Sequence, residues 1–417
     1  MLFFKECKKV FFSVTYFIYL AVMILMFISQ YWFDAKITVE KPVEGGDFGC
    51  TTVFDAETIM PNATAAFMND FYNGEFICYP YGFIKKVHPD AFENEKLCSI
   101  ISEITGYSAA EIEELRNSAA VLEYYEEFST TPKIQYKFPD LKIAEGMTYE
   151  HFCELIDEAD DILGGGSSYN SDGLEYYSKE VPITYEEALA EYNEFAEDDK
   201  VTGGLARLFC DYLGIDIVLI PVFVAAAFTY TDRKKKISDI IYSRKISSAK
   251  LVLTRFAALV VMMLIPVLLM AAAAHIQAAK LYSGTELDNT VFYTLTLEWL
   301  LPNLMAATAF GMLITELSSP IIAEILGIAV WFKEVCLGSY ELVGDISSFD
   351  LIIRHNSEMY RSVFMANYSE FIFSRCFWAG IALVMVTGTI AVYELKRGGV
   401  LNEFRLPFKN NKIKSKA

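Results

Sequence analysis

The chain has 417 residues, 53% of them hydrophobic, and a formal net charge of −19. That composition is too apolar for an ordinary soluble protein of this size. The charge is also segregated: residues 33–208 carry 36 Asp and Glu against 12 Lys and Arg, a balance of −24, and the rest carry 18 against 23, a balance of +5. The pattern is that of an acidic polar domain inserted into a mildly basic membrane protein, and no nucleic-acid partner is expected.

Residues 1–9 are expected to form a short cytoplasmic elbow, in which Lys5, Lys8 and Lys9 favour the inner membrane surface. The 24 uncharged residues between Lys9 and Asp34 can cross a hydrocarbon core of ~30 Å as a helix. The outer end of this run, Met26 to Phe33, is bulky and lacks a small-residue cleavage site, so residues 10–33 read as a retained signal anchor. Tyr31 and Trp32 fall where an interfacial aromatic belt is expected.

Residues 34–208 read as a mainly helical extracytoplasmic domain. Ser108-Ala-Ala-Glu111 and Thr184-Tyr-Glu-Glu187 have capping-box form. Helical apolar spacing follows at Ile112, Leu115, Ala119 and Leu122, and at Ala188, Leu189, Tyr192 and Phe195. Residues 148–163 predict another helix, ended by Gly164-Gly-Gly-Ser-Ser168 as a flexible breaker. Residues 35–55 and 132–143 hold short extended patterns. The even number of cysteines here, Cys50, Cys78, Cys98 and Cys153, permits two disulfides with three connectivities.

Five further transmembrane helices are expected at 209–230, 251–274, 291–315, 320–338 and 371–393, with an external loop at 339–370 and a basic tail at 394–417 suited to anionic membrane lipid. The fold class is therefore an all-α polytopic membrane protein with six spans, its external domain lying between the first two. Both termini are expected in the cytoplasm. The inner segments hold the three N-terminal lysines, seven Lys and Arg in 232–250 and seven more from Lys396 to Lys416, whereas the short outer loops hold only Lys280, Arg354 and Arg361.

No signal for catalysis is present. The four histidines are scattered without zinc-ligand spacing, and there is no Gly-x-Ser-x-Gly elbow. No Gly-x-x-x-x-Gly-Lys-Ser/Thr loop offers a cradle for nucleotide phosphates, so any ATP hydrolysis belongs to a separate polypeptide. Charges inside apolar runs mark pathways or partners in membrane bundles. Glu298 and Glu324 are candidates of that kind, whereas Lys333 and Glu334 read as snorkelling near an interface.

The loop at 231–250 carries Ile237, Ile240 and Ile241 at i, i+3, i+4 spacing among cations, the pattern of a one- to two-turn amphipathic helix suited to docking on a cytosolic partner. Together with Leu251-Val-Leu-Thr-Arg-Phe256 it resembles the coupling segment of the permease subunits of ABC type-2 exporters. Leu163-Gly-Gly-Gly-Ser-Ser-Tyr169 and Pro182-Ile-Thr-Tyr-Glu-Glu-Ala188 are similar to segments of such permeases in Gram-positive bacteria. The resemblance implies a non-enzymatic permease subunit, paired as a homodimer or with a second permease, and driven by a separate ABC ATPase subunit that holds ATP and Mg. It implies docking contacts at Ile237, Ile240, Ile241 and Tyr242, with Arg233 and Lys236 on the rim. It also implies residence in the cytoplasmic membrane. The alternative is a membrane-anchored sensor or binding protein that uses the acidic ectodomain.

Overall fold

Helix α1, Leu2–Phe11, is amphipathic: Glu6 and Val10 are buried, and Lys5, Lys8 and Lys9 are exposed. Ser13 accepts from the Tyr16 amide and so caps α2, Val14–Met26, which continues through a π turn to Trp32. Tyr16, Tyr19, Met23, Phe27 and Tyr31 recur at three- and four-residue spacing and form its buried stripe. The computed structural model describes residues 2–36, 38–80, 84–124, 133–138, 141–336 and 343–401. Two compact units emerge, one built from 1–42 with 186–417 and the other from 43–185.

Among the described residues, the second unit is mainly helical, with six short strands paired two by two. Strand β1, Cys50–Val53, precedes α3, Ala56–Asn73; β2, Phe76–Cys78, and β3, Lys85–Val87, form a hairpin; α4, Ala91–Thr105, and α5, Ala109–Ser118, follow. Strands β4, Ala120–Tyr124, and β5, Lys133–Lys137, pair antiparallel; then come α6, Tyr149–Leu163, and β6, Lys179–Pro182, which pairs back onto β1. The Ser108–Glu111 capping box forms as the motif predicts, and Thr148 caps α6. Leu122 is not helical: it pairs with Gln135 across the β4–β5 ladder, where strand pairing overrides the local period. Ile59, Phe67, Ile101, Phe152 and Ile156 are fully buried in this unit's core.

Gly164–Gly166 is a fixed corner, not a flexible breaker. All three glycines have positive φ, and the Asp160 carboxylate accepts from the amides of Gly166 (3.2 Å) and Ser167 (2.7 Å). A Cβ on Gly166 would lie 2.6 Å from the backbone of Tyr79 and Pro80. Cys50, Cys78, Cys98 and Cys153, which permitted two disulfides, are free thiols on four different elements, β1, β2, α4 and α6.

The chain then runs through α7, Tyr185–Asn193; α8, Thr202–Lys234; α9, Ser238–Tyr242; α10, Ser248–Leu281; and α11, Val291–Leu295. A π turn at Thr296–Leu300 joins α11 to α12, Leu301–Leu317, and α13, Pro320–Cys336, follows after two residues. The short strands β7, Val343–Asp345, and β8, Arg354–His355, pair, and α14, Arg361–Ala366, leads into α15, Tyr368–Arg397.

Among the described residues, five helices are long and apolar enough to cross a membrane: Val14–Trp32, Thr202–Lys234, Ser248–Leu281, Val291–Leu317 and Tyr368–Arg397. This is the make-up of a multi-pass membrane protein. Helix α13 has 17 residues, ~25 Å at the helical rise, and falls just short of that length. The end of the fifth expected span (337–338), the start of the external loop (339–342) and the basic tail beyond Leu401 lie outside the described residues.

Candidate docking surface at one end of the helical bundle

Helix α8 ends at Lys234 because Lys236 takes a left-handed conformation (φ 55°) and turns the chain into α9. Ser247 then caps α10, its hydroxyl accepting from the Lys250 amide. Between these stops the loop is tied to the bundle from several sides. Arg255 of α10 pairs with Asp232 at the root of the loop, and its Nε lies 3.8 Å from the Glu6 carboxylate of α1. Glu6 and Arg255 are buried and Asp232 nearly so, which joins three elements in one low-dielectric cluster.

The Arg233 guanidinium donates to the Ser318 carbonyl (3.2 Å) and to that of Thr315, and lies 5.2 Å from the Tyr230 ring centroid. Arg397 at the end of α15 donates to the carbonyls of Ile246 (2.6 Å) and Arg244 (2.9 Å). The Tyr242 ring meets Tyr393 edge-on at 5.3 Å, and Ile241, Tyr242 and Ile246 pack against the bundle core. Beside them, buried Lys396 pairs with Glu316 at 3.0 Å.

This geometry sorts the six expected docking residues. Ile240, 60% exposed, and Lys236 face outward. Ile241 and Tyr242 face the bundle, Ile237 is half-buried, and Arg233 is engaged by carbonyl groups instead of standing on a rim. The reason is capping: a guanidinium beside the last turn of α12 satisfies carbonyls that have no helical donor. The exposed face therefore holds Ile240 among Lys234, Lys235, Lys236, Arg244, Lys245 and Lys250.

The two expected pathway carboxylates are not brought together. Glu298 is exposed in the π turn before α12 and interacts with the Tyr368 hydroxyl, whereas Glu324 is half-buried near the start of α13, beyond the other end of α12. Lys333 is exposed and pairs with Glu334 at 2.8 Å, and buried Glu334 accepts from the amides of Leu351 (3.0 Å) and Ile352 (3.4 Å).

A second polar cluster lies at the opposite end of the long helices and escapes the sequence reading. Asp211, fully buried, accepts from Arg354 (3.1 Å) and from the His355 amide (2.7 Å). Asp199 is flanked by Arg207 (2.5 Å) and Arg361 (3.3 Å). Arg375 donates to Asn303 (2.5 Å) and to the Asp350 carbonyl (2.5 Å). Burial, reinforced by Arg207, pushes the His355 imidazole down to about 4 and keeps it neutral. The available signal was a charge inside an apolar run, as at Arg255 and Arg375, which demands a buried partner. Among the described residues no group of His, Cys, Asp and Glu could hold a metal ion. Compared with known proteins, the chain matches no family model, no curated protein and no solved structure.

Proposed function

We propose that the chain is the membrane-embedded permease subunit of an ATP-driven exporter of the ABC type. In this reading α13 is the fifth of six spans, both termini and the 232–250 loop face the cytoplasm, and residues 34–208 lie outside. A separate ATPase subunit, which binds ATP and Mg, docks on the loop, and the pathway forms with a second copy or a second permease. The observation that carries the reading is the two-sided loop. Its inner face is tied to α1, α8, α10, α12 and α15 by ion pairs and carbonyl contacts, and its outer face offers an exposed isoleucine ringed by cations. Such a loop can pass displacement from a partner to several helices at once, and it suits a partner surface with an apolar pocket and an acidic rim.

The test is purification of the tagged chain from native membranes in mild detergent, with identification of associated subunits and a vanadate-sensitive ATPase assay. Recovery of a Walker-type ATPase from the wild type and its loss in Ile240→Glu is the expected outcome. Ile240 is preferred to Ile241 because its side chain leaves the bundle untouched. A preparation without any nucleotide-binding partner overturns the reading and favours the sensor.

A further inference from the structure

A groove of about 900 Å³ runs along α3 in the 43–185 unit. Its floor is made of small residues, Ala65 and Ala66, half-exposed on the helix surface. Its walls are two aromatic pairs, Tyr136 with Phe138 on one side and Tyr176 with Tyr177 on the other.

Each wall is held by an asparagine of α3, the two standing seven residues apart on one helix face. The Asn69 side chain accepts from the Tyr136 amide (2.6 Å) and donates to the Tyr136 carbonyl (3.1 Å); the Asn62 side chain donates to the Tyr177 carbonyl (3.2 Å). The rings are braced behind: Phe138 stacks on Tyr136, which meets Tyr72 edge-on at 5.1 Å, and Tyr177 stacks on Tyr169. The groove is thus preformed. Tyr176 by contrast is 88% exposed, a large ring presented to solvent at the groove mouth.

The lining chemistry selects among ligands. The 43–185 unit carries 27 Asp and Glu against 8 Lys and Arg in 143 residues. Of the fifteen described residues lining the groove, only Glu180 is acidic, and it is offset by Lys137 and Lys179 at the edges. The groove carries a single net positive charge on a strongly negative unit, so neither a cation nor a multivalent anion is favoured. At β5 a peptide could not add as a strand, because the groove-side amide and carbonyl of Tyr136 are occupied by Asn69, and those of Ile134 by Asn73. What is left are side-chain amides able to donate and accept at once, Gln135 and the unused atoms of Asn62, between aromatic faces over a flat floor.

We propose that this groove binds a neutral oligosaccharide, its hydroxyls paired with Asn62 and Gln135 and a sugar face laid on Tyr176. The proposal does not depend on the transporter reading.

The test uses the full chain in a detergent without a sugar headgroup, titrated calorimetrically with maltohexaose, cellohexaose and chitohexaose. At least one hexasaccharide is expected to bind, weakened about tenfold by Tyr176→Ala and about fivefold by Gln135→Ala. Both side chains are exposed, and an unchanged thermal midpoint in each variant shows that folding is not the cause. Absence of binding by all three saccharides at millimolar concentration overturns the proposal. So does saccharide binding with unchanged affinity in both variants, and so does binding of a random hexapeptide pool where the saccharides are silent.

Discussion

The two units of this chain use charge in opposite ways. In the 43–185 unit, 27 acids face 8 bases, whereas the remainder of the chain holds 27 of each and is neutral. The acidic unit keeps its ion pairs where water can reach them, as in Lys86 with Glu75, Arg116 with Glu113, and His151 between Glu103 and Glu154. Within it the side-chain amides of Asn69 and Asn73 close the edge of β5, and the Asp160 carboxylate holds the Gly164–Gly166 corner. The neutral unit takes its charges inside, in Arg255 with Asp232 and Glu6, Asp211 with Arg354, and Lys396 with Glu316. In a bundle made to meet lipid, an unpaired charge has no solvent to retreat to, so these buried charges stand against partners of opposite sign. A water-facing unit has no such constraint and can carry a large excess of one sign.

The contrast can be broken from either side. Asp211→Ala strands Arg354 and the His355 amide in a buried site, and a loss of about 3–5 kcal/mol is expected, seen as a large fall in the detergent-solubilised unfolding midpoint. A surface-like loss below 1 kcal/mol would show that the neutral unit does not depend on its buried pairs. On the other side, Asn69→Ala removes no charge but orphans the amide and carbonyl of Tyr136. About 1–3 kcal/mol is expected, with faster hydrogen exchange confined to β4 and β5; uniform exchange across the unit would contradict the local role.

Acidity sharpens the comparison, because one histidine in each unit responds with opposite sign. His355 is held neutral with its pKa down at about 4 by burial and Arg207. Its contribution is intact above the ordinary value near 6.5 and is lost as pH falls toward 4, about 2 kcal/mol by pH 5. His151 donates to Glu154 and Glu103 when protonated, which raises its pKa. Its clamp between α4 and α6 is complete below pH 6.5 and fades as pH rises through the raised value, a small effect at this exposed site. Unfolding midpoints followed from pH 5 to 8 should show the dependence on the acid side vanish in His355→Phe and the weaker one on the alkaline side vanish in His151→Gln. Coincident behaviour of both variants would mean that the two histidines do not report their own units.

Much of the helical framework was legible from the residues. The capping box at Ser108 and Glu111, the cap at Thr148 and the long apolar stretches reappear as helices, and the uncharged run ending at Phe33 is helical from Val14 to Trp32 after a break at Phe12 and Ser13. The isoleucine stripe of the 232–250 loop correctly marked a short amphipathic turn, but its spacing could not tell the solvent face from the bundle face. That choice went to Ile240 outward and Ile241 inward once Tyr242 met Tyr393 and Arg397 reached the loop carbonyls. Leu122 left the helical pattern for β4, and Gly164–Gly166 became a corner, because β5 and Asp160 supplied partners that no local window contains.

By itself, then, the sequence determined what each stretch needs from its surroundings. Hydropathy and charge are sums over neighbouring residues, and they separate apolar helices from an acidic insert without knowledge of any contact. Only the tertiary structure decided who meets whom: Arg255 with Asp232 and Glu6, Arg375 with Asn303, and Asn62 and Asn69 with the two walls of one groove. Such partners lie tens to hundreds of residues apart. Their pairing depends on the packing and register of whole elements, which no single segment encodes.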